Sequence, residues 1–418
     1  MGGEAMSKEG RKEIAATVSG SAHSCLDTIK DWLMENYEVK VNLLDRSRVY
    51  LTPTENCSIH YEYPVSEEDI LLHAFADELP ISSGLLKKLM TSPNQMKAFN
   101  PVHDYLEALR GKYKGPSQID LLSSSLHLVD EGKRKRAGEL LRKWLVAVVA
   151  CALGKRQNDV ALGLVGERAG IGKTTFFEQI VPPHLLEYYQ VAQKDDRSFQ
   201  MQNAFAHRLL VNFDEFAAVT TAVEQPFKQL MSATTVTVRR PGTWYNETVQ
   251  RVASCCFTSN KTQNIGGFIK TPDDGLLRRL AVIEVESIDD YRQRLDVDQL
   301  WAEAVMLLDG GFDPVWSQQE YQQFIRENRQ YVIESKAVSL LRRYTRLPEK
   351  GEDADFLSAS DIIQLLKEHK LIRPADMNHF SETKVGLAMS MLGFIRKTKW
   401  NKEKGIAKHG YYVVPMIE

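Results

Sequence analysis

The chain has 418 residues, which is enough for two or three domains with sizeable cores. Its formal net charge is −2, so a uniformly basic nucleic-acid-binding protein is excluded and any such affinity must come from local patches. The five cysteines form no C-x-x-C pair, which argues against a zinc site and for reduced thiols. We see no signal peptide and no membrane-length apolar run, and therefore expect a cytoplasmic protein without a membrane partner.

The N-terminal part predicts a short tail followed by a small domain. Residues 1–20 are rich in Gly, Ser, Lys and Glu and predict a flexible N-terminus. A helical pattern and then alternating patterns at 37–41, 48–51 and 59–63 predict a helix and three strands. We therefore expect a small α+β unit over 21–83.

The next segment, residues 84–150, predicts a mainly helical region. Its last helix, from Leu140, is almost entirely apolar, which is typical of a buried helix. The basic run Lys133–Arg136 precedes that helix. Such a run is equally compatible with a solvated face and with contact to a phosphate backbone.

The stretch Leu162–Thr175 reads as an apolar strand, a glycine-rich turn and the start of a helix, which predicts a phosphate-binding loop. Glycines let several backbone N–H groups point at one anion. Lys173 would place its charge on the β- and γ-phosphates of ATP, and we expect it to face solvent when the loop is empty. Thr174 would be a hydroxyl ligand of Mg²⁺. The nucleotide-binding candidates are Gly166, Ala169, Gly170, Ile171, Gly172, Lys173, Thr174 and Thr175.

The spacing of this loop departs from the usual G-x-x-x-x-G-K-[ST] pattern. That pattern would place its first glycine at Glu167, whereas Gly166 lies one position earlier. We therefore expect a loop one residue longer than usual. The alternative interpretation is a glycine-rich turn that connects a strand to a helix without binding a phosphate.

Two further apolar strands end in polar side chains. Arg208–Phe213 leads into Asp214 and Glu215, and Val252–Ser259 leads into Asn260. Open α/β sheets bind ligands at the carboxyl ends of their strands. We expect Asp214 to hold Mg²⁺, Glu215 to act as general base towards water, and Asn260 to orient that water. A helix cap is the alternative role for the two acids.

Residues 235–251 predict a hairpin with a Pro-Gly turn, and its tip carries arginines and aromatic side chains. Cations beside aromatic rings suit contact with phosphates and stacking on bases. A surface hairpin capped by aromatic residues is the alternative. Further along, Arg278 and Arg279 precede another apolar strand, and one of them could act as an arginine finger on a neighbouring subunit's nucleotide.

The C-terminal part predicts a helical connector over 311–350 and a separate domain over 351–418. Two helical patterns followed by a basic hairpin resemble a winged helix, in which the second helix and the wing contact DNA. Winged helices also mediate protein contacts, which remains the alternative.

The order of these motifs resembles the virulence-associated protein E family, over about residues 90–310. The segments that carry the resemblance are the phosphate-binding loop, Asn212–Phe216, Phe227–Ser232, Val238–Pro241, Phe257–Asn260, Leu277–Leu280 and, upstream, Phe99–Leu109. One segment departs from the family: Lys112–Gly115 stands where it has an aromatic-Asp-Gly turn. The N-terminal region shows no primase-like metal constellation, so we expect no primase activity.

The family resembles superfamily-3 helicases and often accompanies a primase. The resemblance implies an α/β fold, with an AAA+ P-loop NTPase core over 151–310, a mainly helical N-terminal region and a C-terminal winged-helix-like domain. It implies ATP and Mg²⁺ as cofactors and carries over the site roles given above. The DNA-contact candidates are Lys228, Arg239, Arg240, Trp244 and Tyr245.

These features lead us to expect an ATP-driven DNA helicase or translocase in the replication of a mobile genetic element. It would form a hexameric homo-oligomeric ring on single-stranded or forked DNA, with a primase as a further partner. One alternative is an ATP-switched initiator or loader that remodels DNA without processive unwinding. Another is an adaptor with a degenerate nucleotide site, which would act by binding DNA or a protein.

Overall fold

The computed structural model describes residues 25–45, 48–79, 81–193, 198–216, 221–239, 245–270, 273–333, 335–349, 351–401 and 406–416. The expected flexible tail, residues 1–20, lies outside these ranges. Internal contacts divide the chain into two units. The first comprises Met1–Asn260 with Asp274–Ile325, and the second comprises Lys261–Asp273 with Arg326–Glu418.

The first unit begins with a small α+β layer. A helix over 25–36 (α1) is followed by strands β1 (Tyr37–Asn42) and β2 (Val49–Pro53), helices α2 (Glu67–Ala76) and α3 (Ser83–Met90), and strand β3 (Lys97–Phe99). Strand β1 lies in the middle of the sheet, antiparallel to β2 and parallel to β3. The apolar sides of these elements share one core, which includes Ile29, Leu33, Val39, Val41, Ile70, Leu86, Leu89 and Met96.

The third strand of this sheet is not the one that we expected at 59–63. Those residues form bends, and both Ile59 and Tyr63 are exposed, so their alternation creates no buried face. Strand β3 pairs with β1 instead, which a local pattern of only three residues could not reveal. The small unit therefore extends to Phe99, beyond the expected boundary at residue 83.

A helical layer follows, with α4 (Pro101–Ala108), α5 (Gln118–Ser124), the short strand β4 (Leu126–Leu128) and α6 (Arg134–Ala152). Helix α6 begins earlier than predicted, so the basic run supplies its first turn. From Leu140 onward nearly all of its side chains are buried, as the sequence indicated. Trp144 in its middle donates a hydrogen bond to the backbone oxygen of Cys255 (3.1 Å), which fixes the helix against the central sheet.

The central sheet has six strands in the order β4-β11-β5-β10-β7-β6. After β4 and α6, the strands of this sheet and the helices between them follow in chain order, together with a separate two-stranded hairpin. They are β5 (Ala161–Val165), α7 (Lys173–Gln179), β6 (Tyr189–Val191), α8 (Ser198–His207), β7 (Leu210–Phe213), α9 (Thr221–Ser232), the hairpin strands β8 (Thr235–Val238) and β9 (Glu247–Gln250), β10 (Ser254–Ser259), α10 (Asp274–Leu277), β11 (Leu280–Ile288) and α11 (Val297–Asp309). Strand β4 is antiparallel to β11, and the other neighbours are parallel. Every residue of β5, β7 and β10 is buried, as expected for a parallel sheet covered on both faces.

The register of this sheet brings the ends of three strands to one edge. Ser259 of β10 lies beside Val165 of β5, and Phe257 lies beside Phe213 of β7. From β5 the chain runs out to β6, returns through β7 and β10, and then crosses to β11 on the other side of β5. The order thus reverses around β5, and ligands bind at such positions in open α/β sheets.

A buried arginine joins the hairpin to this sheet. The guanidinium of Arg251, 1 % exposed, donates to the backbone oxygens of Ala253, Leu230, Met231 and Asn158. It also lies over the ring of Phe205, 5.0 Å from the centroid. One side chain therefore holds the end of α9, the segment after β9 and the entry to β5 together.

The second unit contains α13 (Lys336–Tyr344), β12 (Thr345–Arg346), β13 (Asp355–Leu357), α14 (Ala359–Glu368), α15 (Glu382–Met391), β14 (Lys397–Asn401) and β15 (Ile406–Pro415). Helix α12 (Gln318–Asn328) spans the division between the units. Strand β15 pairs with β12, β13 and β14, all antiparallel. Helix α13, which we expected in a connector, packs into the core of this unit. The chain as described is mixed α/β, and no helix among these residues is long and apolar enough to cross a membrane.

Candidate functional site

The glycine-rich loop leaves β5 and leads directly into α7, as the sequence predicted. A Cβ on Gly166 would lie 2.2 Å from the backbone oxygen of Val285 on β11, so only glycine fits there. Gly170 and Gly172 have φ values of 76° and 91°, a region that favours glycine. The early glycine is therefore explained by close packing against β11. Of the other loop candidates, Ala169 and Thr175 are exposed and Ile171 is half-buried.

Lys173 is buried at the base of this loop, with 6 % of its surface exposed. Its ammonium donates to the backbone oxygens of Gly166 (2.9 Å) and Arg168 (2.8 Å) and to Oδ1 of Asn260 (2.6 Å). The expectation that Lys173 faces solvent is therefore wrong, because the loop itself supplies acceptors for the charge. Burial lowers the pKa of Lys173 below its ordinary value, and the nearby carboxylates of Glu215 and Asp214 oppose that shift.

Asp214 follows β7 and accepts two hydroxyl hydrogen bonds on one carboxylate oxygen. Thr174, in the first turn of α7, donates to Oδ1 at 2.8 Å, and Thr258 of β10 donates to the same atom. Thr258 was not among the predicted site residues. The sequence feature that could have identified Thr258 is its position two residues before Asn260. The β7–β10 register places Thr258 beside the acid pair.

Glu215 adopts an unusual backbone conformation, with φ of 52°. Its N–H donates to the hydroxyl of Thr258 (3.3 Å), and its carboxylate accepts a hydrogen bond from the side-chain amide of Asn260. A non-glycine residue in the left-handed region is uncommon and is often found at functional sites. The two acids are thus held by side chains from the neighbouring strand.

The donor set suits a metal that arrives with a phosphate substrate. Among the described residues, no group of three or more His, Cys, Asp or Glu side chains could hold a metal ion alone. Mg²⁺ in nucleotide sites takes one or two carboxylates and completes its shell with waters and substrate phosphates. Asp214 and Thr174 are oxygen donors in mutual contact, which fits that requirement.

Arg278 and Arg279 lie at the opposite edge of the sheet. They directly precede Leu280, which pairs with Ala161 at the start of β5. Ala161 lies four residues of strand rise, about 13 Å, from Val165 at the end of β5. Arg279 is buried and donates to Gly275 and Ser232, whereas the half-buried Arg278 lies 5.6 Å over the ring of Tyr321.

The predicted hairpin is present, because β8 pairs with β9 from Thr235–Gln250 to Val238–Glu247. Arg239 and Tyr245, at the two ends of the described strands, are exposed, and Lys228 on α9 is half-buried. Arg240 and Trp244 lie outside the described residues. The structure therefore places part of the expected DNA-contact set on one hairpin.

Comparison with known proteins gives one family and distant structural similarities. The model of the virulence-associated protein E-like domain matches residues 107–333. Two structures of the apo C-terminal region of NrS-1 are similar, at 12 % and 13 % identity, with TM-scores of 0.44 and 0.43; both alignments cover 92 % of this chain and 98 % of the other. No curated protein matches the chain. The family match spans more than half of the chain and includes the whole of the site around Lys173, and the protein therefore belongs to the virulence-associated protein E-like family.

Proposed function

We propose that this protein is an ATP-dependent DNA helicase or translocase that acts in the replication of a mobile genetic element. The observation that carries the proposal is the cluster at the carboxyl edge of the sheet. There the ammonium of Lys173 and the carboxylate of Glu215 are joined through the one side chain of Asn260. A cation, a general base and an amide between them are the groups that hydrolysis of a terminal phosphate requires.

Each side chain has a distinct role when ATP binds. Lys173 exchanges its hydrogen bonds to Gly166 and Arg168 for the phosphate oxygens, and its positive charge stabilises the charge that develops there. Glu215 accepts the proton of the attacking water, and Asn260 holds that carboxylate in position.

The metal ligands of the proposal are Thr174 and Asp214. Their oxygens would hold Mg²⁺, which neutralises phosphate charge when bound. Thr258 fixes the Asp214 carboxylate from the other side, so the ligand is oriented before the nucleotide arrives.

The fold around the site supports the finer assignment. The loop follows the strand at which the sheet order reverses, and the two other motifs end the next two parallel strands that return to it. We assign this core to the AAA+ P-loop class. The helices and basic hairpin of the second unit we assign as winged-helix-like.

The hairpin β8–β9 is the proposed translocating element. Arg239 would contact phosphates and Tyr245 would stack on bases, together with Arg240 and Trp244 from the tip and Lys228 from α9. In a hexameric ring these hairpins line a central pore, with ATP between protomers. A primase is the proposed partner that would use the unwound strand.

Steady-state ATP turnover, measured with and without single-stranded DNA, tests the proposal first. Turnover that single-stranded DNA stimulates, together with strand separation on a forked duplex, is the expected result. Stimulated turnover without strand separation would instead favour an initiator or loader. Absence of turnover under both conditions would contradict the proposal and favour an adaptor.

A further inference from the structure

The sheet of the second unit carries a charged face that neither the proposed ATP site nor the β8–β9 hairpin uses. Strand β15 pairs with both β13 and β14, and successive side chains of a strand point to opposite faces. Tyr411 and Val413 point into the core of the unit. Their neighbours on β15, with the residues paired to them, form the opposite face. We call this set the lysine–aromatic face; it consists of Phe356, Tyr412, Lys397, Lys399 and Lys408.

Two aromatic rings form the floor of this face. Phe356 of β13 pairs directly with Tyr412 of β15, and their ring centroids are 5.1 Å apart at 58°. Gly410 leaves the space for this arrangement, because a Cβ there would lie 3.1 Å from the ring of Phe356 and 2.6 Å from the oxygen of Leu357. The rings therefore lie beside each other on an open sheet surface.

Lysines lie over both rings. The ammonium of Lys397 lies 5.5 Å from the centroid of Tyr412, and that of Lys399 lies 5.9 Å from the centroid of Phe356. Lys408 on the same face is neutralised by Asp361 at 2.6 Å. Lys397 and Lys399 have no ion pair within the described part of the chain, so their charge is available to a ligand.

We propose that the lysine–aromatic face binds single-stranded nucleic acid. Ammonium groups that alternate with ring faces match a backbone of phosphates whose bases can stack, and an acidic peptide would use the charges but not the rings. Duplex DNA hides its base faces and would gain nothing from the rings. The proposal rests on the proposed function only for the choice of DNA as ligand.

A winged-helix site would use both the second helix and the wing hairpin, whereas this site uses the hairpin β14–β15 with its neighbour β13 and not the helix. Helix α15, the second helix, contains one lysine and one glutamate and therefore carries no net charge. Its Lys384 already donates to the backbone oxygen of Asn378. The ligand would instead lie across β14 and β15, where Lys397 and Lys399 are exposed.

The test measures fluorescence anisotropy of a labelled oligodeoxythymidine 20-mer with the full-length chain, without nucleotide. All variants carry Arg239→Ala, which weakens the other proposed DNA contact. Lys397→Gln with Lys399→Gln should lower the salt dependence of binding, log K against log salt, by about 1.4 for two lost phosphate contacts. The matched control is Lys367→Gln with Lys370→Gln, two exposed lysines of the same unit that lie off this face; its slope should not change.

A second pair of variants tests stacking. Tyr412→Leu should weaken binding roughly 5- to 100-fold, whereas Tyr412→Phe keeps the ring and should bind within about twofold of its parent. Circular dichroism and thermal melting establish that each variant is folded. The two lysine variants and Tyr412→Phe change exposed side chains, so their results can still be interpreted if Tyr412→Leu unfolds.

Three outcomes would overturn the proposal. One is an unchanged salt slope in the Lys397 and Lys399 variant, and another is equal binding of a duplex of the same length. The third is competition by an oligoglutamate as effective as that by unlabelled oligodeoxythymidine, which would identify a protein ligand. None of these measurements depends on ATP turnover, so failure of the proposed helicase function would leave the result interpretable.

Discussion

Asn260 donates a hydrogen bond from its side-chain amide to the carboxylate of Glu215. The oxygen of the same amide accepts from Lys173, so the orientation of the amide is set by both neighbours. A change at either partner is therefore transmitted to the other through one rigid group. The first two predictions below change Lys173 and Glu215, the two side chains that Asn260 joins.

Lys173→Ala should reduce ATP turnover about 10²-fold or more, because the charge on the phosphates is lost. It should also lower the melting temperature, since the buried oxygens of Gly166 and Arg168 lose their donor, a loss of about 1–3 kcal/mol. Turnover assays and thermal melting measure the two effects. Lys135→Ala, at an exposed lysine of α6, is the control. Normal turnover in Lys173→Ala would contradict the nucleotide site.

Glu215→Gln should bind ATP at pH 7 but hydrolyse it about 10²- to 10⁴-fold more slowly, because an amide cannot accept the proton. Its ATP affinity should also decline at a lower pH than that of the wild type. Burial lowers the pKa of Lys173 and the Glu215 carboxylate opposes this, so removing the carboxylate lowers that pKa further and the ammonium is lost earlier as pH rises. Binding of a fluorescent ATP analogue, as pH is raised from 7 towards the ordinary lysine pKa of about 10.4, measures the difference. Glu178→Gln, at an exposed glutamate of α7, should follow the wild-type curve; identical curves for all three proteins would refute the coupling.

Thr258→Val should raise the Mg²⁺ concentration needed for half-maximal ATP turnover, by roughly 10- to 100-fold, as for other groups that orient a metal ligand. The substitution keeps the shape of the side chain and removes the hydroxyl that holds Asp214. Magnesium titrations of turnover without DNA measure it. Thr237→Val on β8 is the matched control, since its side chain is exposed on the hairpin. If both variants require the same Mg²⁺ as the wild type, Thr258 does not orient the metal ligand.

Arg278→Ala should bind ATP but lose hydrolysis if Arg278 acts on the neighbouring subunit, since an arginine finger contributes about 10³-fold or more. Mixed with Lys173→Ala, it should recover part of the turnover, because some interfaces then join an intact loop to an intact arginine. Arg279→Ala should instead melt at a lower temperature, as Arg279 is buried and bonded to Gly275 and Ser232. No recovery in rings that demonstrably mix would remove the finger role from Arg278.

Arg239→Ala with Arg240→Ala should lower the salt dependence of single-stranded DNA binding by about 1.4 and remove the stimulation of turnover by DNA. Basal turnover should persist, because the hairpin is not part of the ATP site. DNA binding at several salt concentrations and turnover with and without DNA measure both effects. An unchanged slope would make the winged-helix-like unit or the basic run Lys133–Arg136 the better candidate for this contact.

Much of the site could be predicted because each motif ends a strand of one parallel sheet. Asp214 follows β7 and Asn260 follows β10, and parallel strands bring their carboxyl ends to the same edge. The order of the motifs along the chain was therefore sufficient to predict that Lys173 and Thr174 lie close to these residues. The burial of β5 on both faces was visible in its uninterrupted apolar run, whereas β10 is buried although Ser254, Thr258 and Ser259 are polar.

The features that sequence could not give depend on contacts between distant segments. The burial of Lys173 follows from the path of the loop back to Asn260, and the position of Thr258 follows from the β7–β10 register. Strand β3 is too short to produce a pattern and exists because β1 pairs with it. The burial of Arg279 depends on Ser232, which lies on another helix.

The left-handed backbone conformation of Glu215 lowers the stability of the fold at the position of a side chain that the proposed function requires. Such a conformation costs a residue with a side chain about 1–2 kcal/mol, and glycine would adopt it freely. A chain selected only for thermal stability would therefore drift towards glycine here and lose the proposed general base. A stability-guided redesign that placed glycine at this turn would therefore remove the carboxylate on which the proposed hydrolysis depends.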